Sequence, residues 1–408
     1  MAGGPVTDSD RLGGHSPLLV VFVTVFIDLL GFGIIIPILP FYAQDFGASE
    51  LVVGMLFASY SLMQFLFSPL WGRVSDVLGR RPVLLVSLFG TSLSFFIFGL
   101  AKTLTVLFIG RIAAGVFGAV ITTAYAYIAD VTTPGNRAHG MGIIGAAFGL
   151  GFIFGPFIGG VMADAWGYAA PAYFAAVLAL ANGILALFVF PESYPPEVRE
   201  RDRTSGAPRR TLSLVRLWGA LKHPAVGSLL LLYFLVTFAF ANMEATYALL
   251  TEDLFGWGAR ENGWVFAYIG VVMVVVQGWL IRPLSRRFGE RKLVVAGTVA
   301  LIPGLGLLPW SPGPAVLLVL SGIMALASGL NTPSITSLIS QGAEEREQGA
   351  MMGMNQSMGS LARFVGPAWG GFTFETLGRS APYWTAALLM AAASVLALRL
   401  HRRHRDDG

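Results

Sequence analysis

The sequence predicts an all-α membrane protein of twelve transmembrane helices arranged as two related six-helix bundles. Three observations carry this reading. First, the 408 residues are 55% hydrophobic and only 12% charged, where a soluble domain carries roughly 25% charged residues. The mean hydropathy is +0.69. Second, apolar stretches of about 20 residues, the length that crosses a bilayer, recur twelve times. Third, glycine patterns of the first half return about 210 residues later.

The spans are expected near 18–41, 51–70, 83–101, 104–129, 138–163 and 171–190, then near 224–250, 262–281, 292–310, 314–339, 349–373 and 382–399. Residues 1–16 are polar, and the first span is too long for the apolar core of a signal peptide, so it reads as an uncleaved helix. The polar run 191–222, rich in Pro, Arg and Glu, reads as a linker. This divides the chain into an N-terminal bundle (1–190), the linker (191–222) and a C-terminal bundle (223–408). With a cytoplasmic N-terminus, the cytoplasmic loops and tails hold 22 Lys and Arg and the opposite loops hold 3. That asymmetry places both termini inside. The same distribution assigns the net charge of +4 to membrane topology and gives no sign of a nucleic-acid partner. With no cysteine and five scattered histidines, neither a disulfide nor a metal site is expected. No glycine-lysine phosphate loop is present, so neither ATP-driven transport nor any cofactor is indicated. No nucleophile motif suggests an enzyme.

The repeat is clearest where Gly155-Pro156-Phe157-Ile158-Gly159-Gly160 matches Gly366-Pro367-Ala368-Trp369-Gly370-Gly371, and where Gly79-Arg80-Arg81 matches Gly289-Glu290-Arg291. Duplicated bundles place a substrate path between them near the midplane. In the loop Gly72–Pro82, Asp76 and Arg80 stand four apart, where opposite charges meet on a helix. In the fifth span Gly151, Gly155 and Gly159 form a smooth stripe for close packing, and Pro156 frees a carbonyl.

Charges within spans are the candidate functional residues, because burying them is expensive. Arg111 shares a face of the fourth span with Gly115, Gly118 and Thr122. Asp28 lies about ten residues into the first span. Low-dielectric surroundings disfavour the charged form of a carboxyl, which is what loading and losing a proton requires; the alternative is a fixed pair with Arg111. Glu244 lies in the seventh span beside Asn242. Arg363 lies in the eleventh, sharing a face with Gln356 and Ser360. Glu244 and Arg363 either neutralise each other, or Arg363 holds an anionic substrate group while Glu244 carries a proton or pairs with a cation. Tyr60, Gln64, Gln277 and Asn331 are further polar residues in spans that either line a cavity or glue helices together.

These residues resemble a known family. Gly72–Pro82 is similar to the loop between helices two and three of the major facilitator superfamily. The pattern Gly142-x8-Gly151-x3-Gly155-Pro156-x2-Gly159-Gly160 resembles the antiporter motif of its twelve-helix drug/proton exporters. Arg111 with Gly115 matches that family's fourth-helix motif. Asp28 followed by Gly31, Gly33, Pro37 and Pro40 is similar to the first helix of tetracycline/proton antiporters, as is Tyr60-Ser61-Leu62-Met63-Gln64 in the second. The resemblance implies the major facilitator fold, alternating access, and proton-driven export of amphipathic small molecules from a monomer in the inner (cytoplasmic) membrane. Carried over by position, Asp28 and Arg111 become the proton-coupling pair, with Glu244 added from the second half. Gly72, Asp76, Arg80 and Asp130 become the cytoplasmic gate. Tyr60, Gln64, Asn242, Glu244, Asn331, Gln356 and Arg363 become the substrate-binding candidates. One departure stands out: tetracycline exporters carry an acid in the ninth helix, and Leu293 to Leu308 has none, so tetracycline itself is not implied. The second reading is a transporter of an organic anion or lipid-like metabolite, with Arg363 on the anionic group.

Overall fold

The structure is a computed structural model describing residues 17–133, 136–195, 224–342 and 348–406. The described residues form helices α1 (Pro17–Ile35), α2 (Leu39–Gln44), α3 (Glu50–Leu78), α4 (Arg80–Gly99), α5 (Leu104–Phe117), α6 (Val120–Val131), α7 (Arg137–Trp166) and α8 (Ala169–Val189). The second half supplies α9 (Pro224–Phe255), α10 (Ala259–Val275), α11 (Ile281–Phe288), α12 (Glu290–Gly306), α13 (Pro314–Gln341), α14 (Gln348–Leu377) and α15 (Ala381–Asp406). Five residues in π geometry, Val276–Leu280, join α10 to α11 as one span. The twelve expected spans are all present. Eleven are long and apolar enough to cross a membrane. The remaining one, α14, is 30 residues long and is diluted by glycine, glutamine, serine and Arg363. Of the linker, 191–195 is described and 196–222 lies outside the described residues.

Two spans expected as continuous helices are broken, each at a helix-weakening residue, Pro37 in one and Gly118 in the other. The first turns at Ile36–Ile38, between α1 and α2, ahead of Pro40. The fourth breaks at Gly118-Ala119, between α5 and α6. Conversely, Gly72–Leu78, expected as loop, continues α3, with Ser75 Oγ donating back to Gly72 O (2.8 Å). The turn itself is Gly79 alone, whose φ of +105° is a conformation that residues bearing a Cβ rarely adopt. Positive φ in fact marks the duplication. All six such glycines among the described residues form three repeat-related pairs: Gly47 with Gly256, Gly79 with Gly289, and Gly167 with Gly378.

Each half centres its own core, and the two cores interpenetrate where Ile36 and Phe152 join the second and Ala245, Ala248 and Leu249 join the first. Leu56, Phe98 and Tyr127 are among the fully buried side chains of the first, and Tyr247, Phe266 and Tyr383 among those of the second. The outer surface is apolar: Phe188 is 83% exposed, Leu388 71% and Val177 65%, a belt suited to lipid. Within the first half α7 packs on α1, and within the second α14 packs on α9. Gly151, Gly155 and Gly159 serve the first of these contacts: a methyl on Gly155 would lie 2.7 Å from Gly33 Cα, and one on Gly151 2.8 Å from Leu29 Cβ.

The halves meet through α3 with α14 and α7 with α10. Both crossings are glycine on glycine. A methyl on Gly371 would lie 3.1 Å from Gly54 Cα, and one on Gly263 3.1 Å from Gly160 Cα. Phe157 and Trp264 stack edge-on beside the second crossing, with centroids 4.5 Å apart. These contacts lie at the end bearing the Gly47, Gly167, Gly256 and Gly378 turns, the Gly47 end. The Gly79 and Gly289 turns lie at the opposite end.

Candidate functional site between the two bundles

Six helices bring polar groups to the space between the bundles: α1 with Asp28, α3 with Tyr60 and Gln64, α5 with Arg111, α6 with Tyr125, α9 with Tyr233 and Glu244, and α14 with Arg363. Arg111 is 4% exposed. Its guanidinium stands 4.7 Å from the centre of the Tyr60 ring and 5.9 Å from that of Phe57, and its Nε donates to Leu56 O at 3.4 Å. Cation–π contact of this kind offsets part of the cost of removing a guanidinium from water. Gln64 Nε2 donates to Tyr60 Oη (3.3 Å) and to Gly118 O (3.4 Å), one of the carbonyls released by the break in the fourth span. Phe32 packs on Tyr60 with centroids 5.1 Å apart, and Phe152 on Phe32 at 6.3 Å, forming an aromatic wall beside the charges.

Glu244 lies in the electrostatic fields of Arg363, from its own half, and of Arg111, from the other. Its Oε1 is buried and has no hydrogen-bond partner among the described residues. Arg363 reaches Ser360 Oγ at 3.5 Å. Tyr60 lies in the fields of Asp28, Arg111 and Arg363, and Tyr125 in those of Tyr233 and Arg363. Among the described residues the salt bridges are Arg80–Asp76, Arg80–Asp130, Arg260–Asp164 and Arg379–Asp253. Neither of the conceivable fixed pairs, Asp28 with Arg111 or Glu244 with Arg363, closes to 4.0 Å. Two acids and two guanidiniums therefore face one space without neutralising one another in contact, an arrangement costly in low dielectric and suited to a proton or a charged ligand.

Other residues fall outside this cluster. Asn242 is fully buried and donates through Nδ2 to Pro382 O at 2.7 Å, tying α9 to α15. Asn331 is fully buried and wedged against Gly297 of α12; in its favoured amide orientation it donates to Val294 O at 3.0 Å. Both hold helices together and neither reaches the cluster. Gln356 is exposed, two turns before Arg363 on α14. Sequence reasoning missed Tyr125 and Tyr233. Tyr125 continues the 111–115–118–122 ladder by one step, and Tyr233 stands eleven residues, three turns, before Glu244.

A second cluster lies at the Gly79 end. Arg80 Nη1 donates to Asp76 Oδ1 (2.6 Å) and Ser75 Oγ (2.7 Å), and Nε donates to Asp130 Oδ2 (3.0 Å). Gly72, still within the α3 helix, joins the cluster only through its carbonyl, which accepts from Ser75 Oγ. Sequence reasoning missed Glu192, whose carboxylate accepts the backbone N–H groups of Arg80 (2.8 Å) and Arg81 (3.2 Å). An acid there meets the positive end of α4. Ser193 Oγ donates to Asp130 at 3.0 Å, and the Tyr194 ring lies 5.0 Å from the Arg80 guanidinium. The expected gate residues thus form one knot that joins α3, α4, α6 and the chain leaving α8, all within the first half.

The comparisons with known proteins agree with this architecture. The family model described as Major Facilitator Superfamily matches residues 21–286 and 280–408. The chain is 33% identical over 361 residues to the tetracycline resistance protein, class C, of Escherichia coli, covering 86% of this chain and 88% of that one. It is 30% identical to multidrug resistance protein 2 of Bacillus subtilis, covering 91% and 92%. Among solved structures it is similar to the human organic anion transporter MFSD10 (TETRAN), with TM-score 0.72, 26% identity, and 96% and 100% of the two chains covered. A bacterial homologue of the human lysosomal transporter Spinster, in an inward-facing and occupied conformation, shares the fold at TM-score 0.75 and 15% identity, covering 95% and 98%. The two bundles, their glycine crossings and these matches together make the chain a multi-pass membrane transporter that belongs to the major facilitator superfamily.

Proposed function

We propose that this protein exports amphipathic small molecules from the cell in exchange for protons, by alternating access between its two bundles. The observation that carries the reading is the state of Asp28 and Glu244. Both are carboxyls inside membrane-spanning helices, both lie in fields of Tyr60, Arg111 or Arg363, and neither is tied up in a salt bridge among the described residues. A carboxyl kept from a contact partner is available to bind and release a proton. The aromatic wall of Phe32, Tyr60 and Phe152 beside it supplies apolar and stacking contacts for an amphipathic ligand. The multidrug and tetracycline resistance relatives support efflux of this kind. The charge asymmetry of the loops supports an orientation in the inner membrane with the Gly79 end and both termini on the cytoplasmic side, in which contact at the Gly47 end corresponds to a cytoplasm-facing state. A monomer suffices, since the site is assembled from one chain.

A second reading, export or exchange of an organic anion, is favoured by Arg363, a guanidinium deep in a span whose salt-bridge partner is not found among the described residues. The organic anion transporter MFSD10 supports it. One experiment addresses both. Everted vesicles with an acidic interior are given fluorescent cationic and anionic amphiphiles from outside, and uptake reads export. Asp28→Asn is expected to abolish uphill movement, a loss of at least about 100-fold, at unchanged insertion and expression. Full uphill transport by that variant would overturn proton coupling through Asp28. Arg363→Ala is expected to remove transport of anions selectively if the second reading holds; equal effects on both charge classes would overturn it.

A further inference from the structure

The Gly47 end carries two polar contacts between the halves that the glycine crossings do not require. In one, Arg260 Nη1 at the start of α10 donates to Asp164 Oδ2 near the end of α7, at 3.1 Å. In the other, Leu51 N–H at the start of α3 donates to Glu375 Oε2 near the end of α14, at 2.9 Å, and the N-cap Ser49 hydrogen-bonds the same carboxylate. The two contacts are copies of each other. Asp164 and Glu375 are 211 residues apart, and Arg260 answers to Leu51, 209 residues earlier, as Gly263 does to Gly54. In each, an acid at the end of one bundle's fifth helix grips the start of the other bundle's second helix. The partner chemistry has diverged. Where the second half offers the Arg260 guanidinium, the first has the uncharged Leu51, and the grip passes to that residue's backbone N–H and the Ser49 hydroxyl, at the positive end of the α3 dipole.

We propose that Asp164 and Glu375 form a duplicated carboxylate clasp that holds the two bundles shut at the Gly47 end, and that acid on that side releases it. Every bond in the clasp has the carboxylate as acceptor. The Ser49 and Leu51 donors hold the Glu375 carboxyl below its ordinary range, so protonation removes the charge that the α3 N-terminus favours only as pH falls through and below that range, and this grip is intact above it. The other charged groups at this end do not substitute. Glu261 is turned back onto Gly258 N–H (3.0 Å), and Arg379 pairs with Asp253 inside the second half (2.6 Å). Asp45, Glu50 and Glu252 are further acids, and the cation Lys102 belongs to the α4–α5 turn. On the proposed topology this is the extracytoplasmic face, the acidic side of an energised membrane.

The inference needs no substrate, so its test stands apart from that of the transport reading. The chain contains no cysteine, so spin labels can be placed without background, at Lys102→Cys in the α4–α5 turn and Pro312→Cys in the α12–α13 turn. Pulsed electron–electron distances are then measured in nanodiscs from pH 7.5 to 4. The unmodified clasp is expected to give a short distance at pH 7.5 and a long component that grows as pH falls toward about 4. Asp164→Asn with Glu375→Gln is expected to raise the open-to-closed ratio at pH 7.5 roughly tenfold, each single change giving roughly threefold, and to flatten the pH response. Arg260→Gln should match Asp164→Asn and add nothing to it. A double variant that keeps the parent's distances at pH 7.5, or one that opens with acid as the parent does, would overturn the clasp.

Discussion

The same turn is built twice at the Gly79 end, with opposite electrostatics. Gly79 and Gly289 both reverse the chain at positive φ, 105° and 79°. Two residues on, Arg81 donates to Leu187 O (2.6 Å) and its counterpart Arg291 to Leu400 O (3.0 Å), so each arginine clamps the last helix of its own bundle. Between glycine and clamp the copies part. Arg80 is answered by Glu290, Asp76 by Arg286 and Asp130 by Gln341. Arg80 gathers two carboxylates and a hydroxyl, with Glu192 sealing the backbone above. Glu290 receives Ser337 Oγ at 2.9 Å and Gln341 Nε2 at 3.2 Å, both neutral, while Arg286 stays exposed and joins no salt bridge among the described residues. Backbone geometry has been kept where a glycine φ and an arginine–carbonyl bond fix it. Charge has been free to change where side chains alone meet. The first copy is a closed knot of ionic contacts and the second a looser hydrogen-bonded patch.

The comparison breaks most visibly at Arg80. Its side chain is 9% exposed, so Arg80→Met leaves Asp130, itself 20% exposed, without its cation. Removing one partner of a buried pair costs about 3–5 kcal/mol; with Asp76 58% exposed, about 2–4 kcal/mol is expected here. Thermal unfolding in detergent reads this as a drop of several degrees. Arg80→Lys should recover only part of it, because an ammonium cannot span Ser75, Asp76 and Asp130 as the guanidinium fork does. A neutral Arg80→Met variant would show the knot to be ornamental.

How much of this was legible follows from what kind of contact each residue makes. The spans, the Gly155–Pro156 and Gly366–Pro367 repeat and the Asp76–Arg80 pair are local or periodic, and they were read directly. The central charges Asp28, Arg111, Glu244 and Arg363 stand out in the sequence because charge inside an apolar span has few innocent explanations. Asn242 and Asn331 were assigned to a cavity and turned out to bind helices together. In a span apolar all round, periodicity does not say which face meets a neighbour, lipid or a cavity. Glu192 was invisible, since it acts on Arg80 from 112 residues away through a short irregular segment. The same holds for Asp164, 96 residues from Arg260. The end of α3 reads as loop in the sequence because its polar residues leave the apolar pattern while the helix continues to Leu78.

Glu192 offers a middle test of the first copy. Glu192→Gln keeps its size and its carbonyl but gives up the charge that faces the Arg80 and Arg81 N–H groups at the start of α4. Loss of an anion at a helix N-terminus is worth typically 0.3–1 kcal/mol, so a stability loss of about 1 kcal/mol or less is expected, with the Arg80–Asp130 bridge intact. Hydrogen exchange should quicken in the first turn of α4 and leave the body of the helix unchanged. Exchange that quickens equally along α4 would mean that Glu192 supports the whole helix and not its cap.

The smallest effect belongs to the second copy. Glu290→Gln replaces a carboxylate that accepts from Ser337 and Gln341 with an amide that still accepts through one oxygen. Neutral partners lose little when an acceptor keeps its shape, and a surface group of this kind moves stability by no more than about 0.5 kcal/mol. The expected melting temperature is within about a degree or two of the parent, whereas Arg80→Met falls well below it. If the two substitutions cost the same, the charge inversion between the copies would have no energetic consequence, and the looser patch at Glu290 would have to be as rigid as the knot at Arg80. An unequal result in the expected direction localises the stiffness of the Gly79 end in the first bundle, leaving the second as the half whose end yields when the two move against each other.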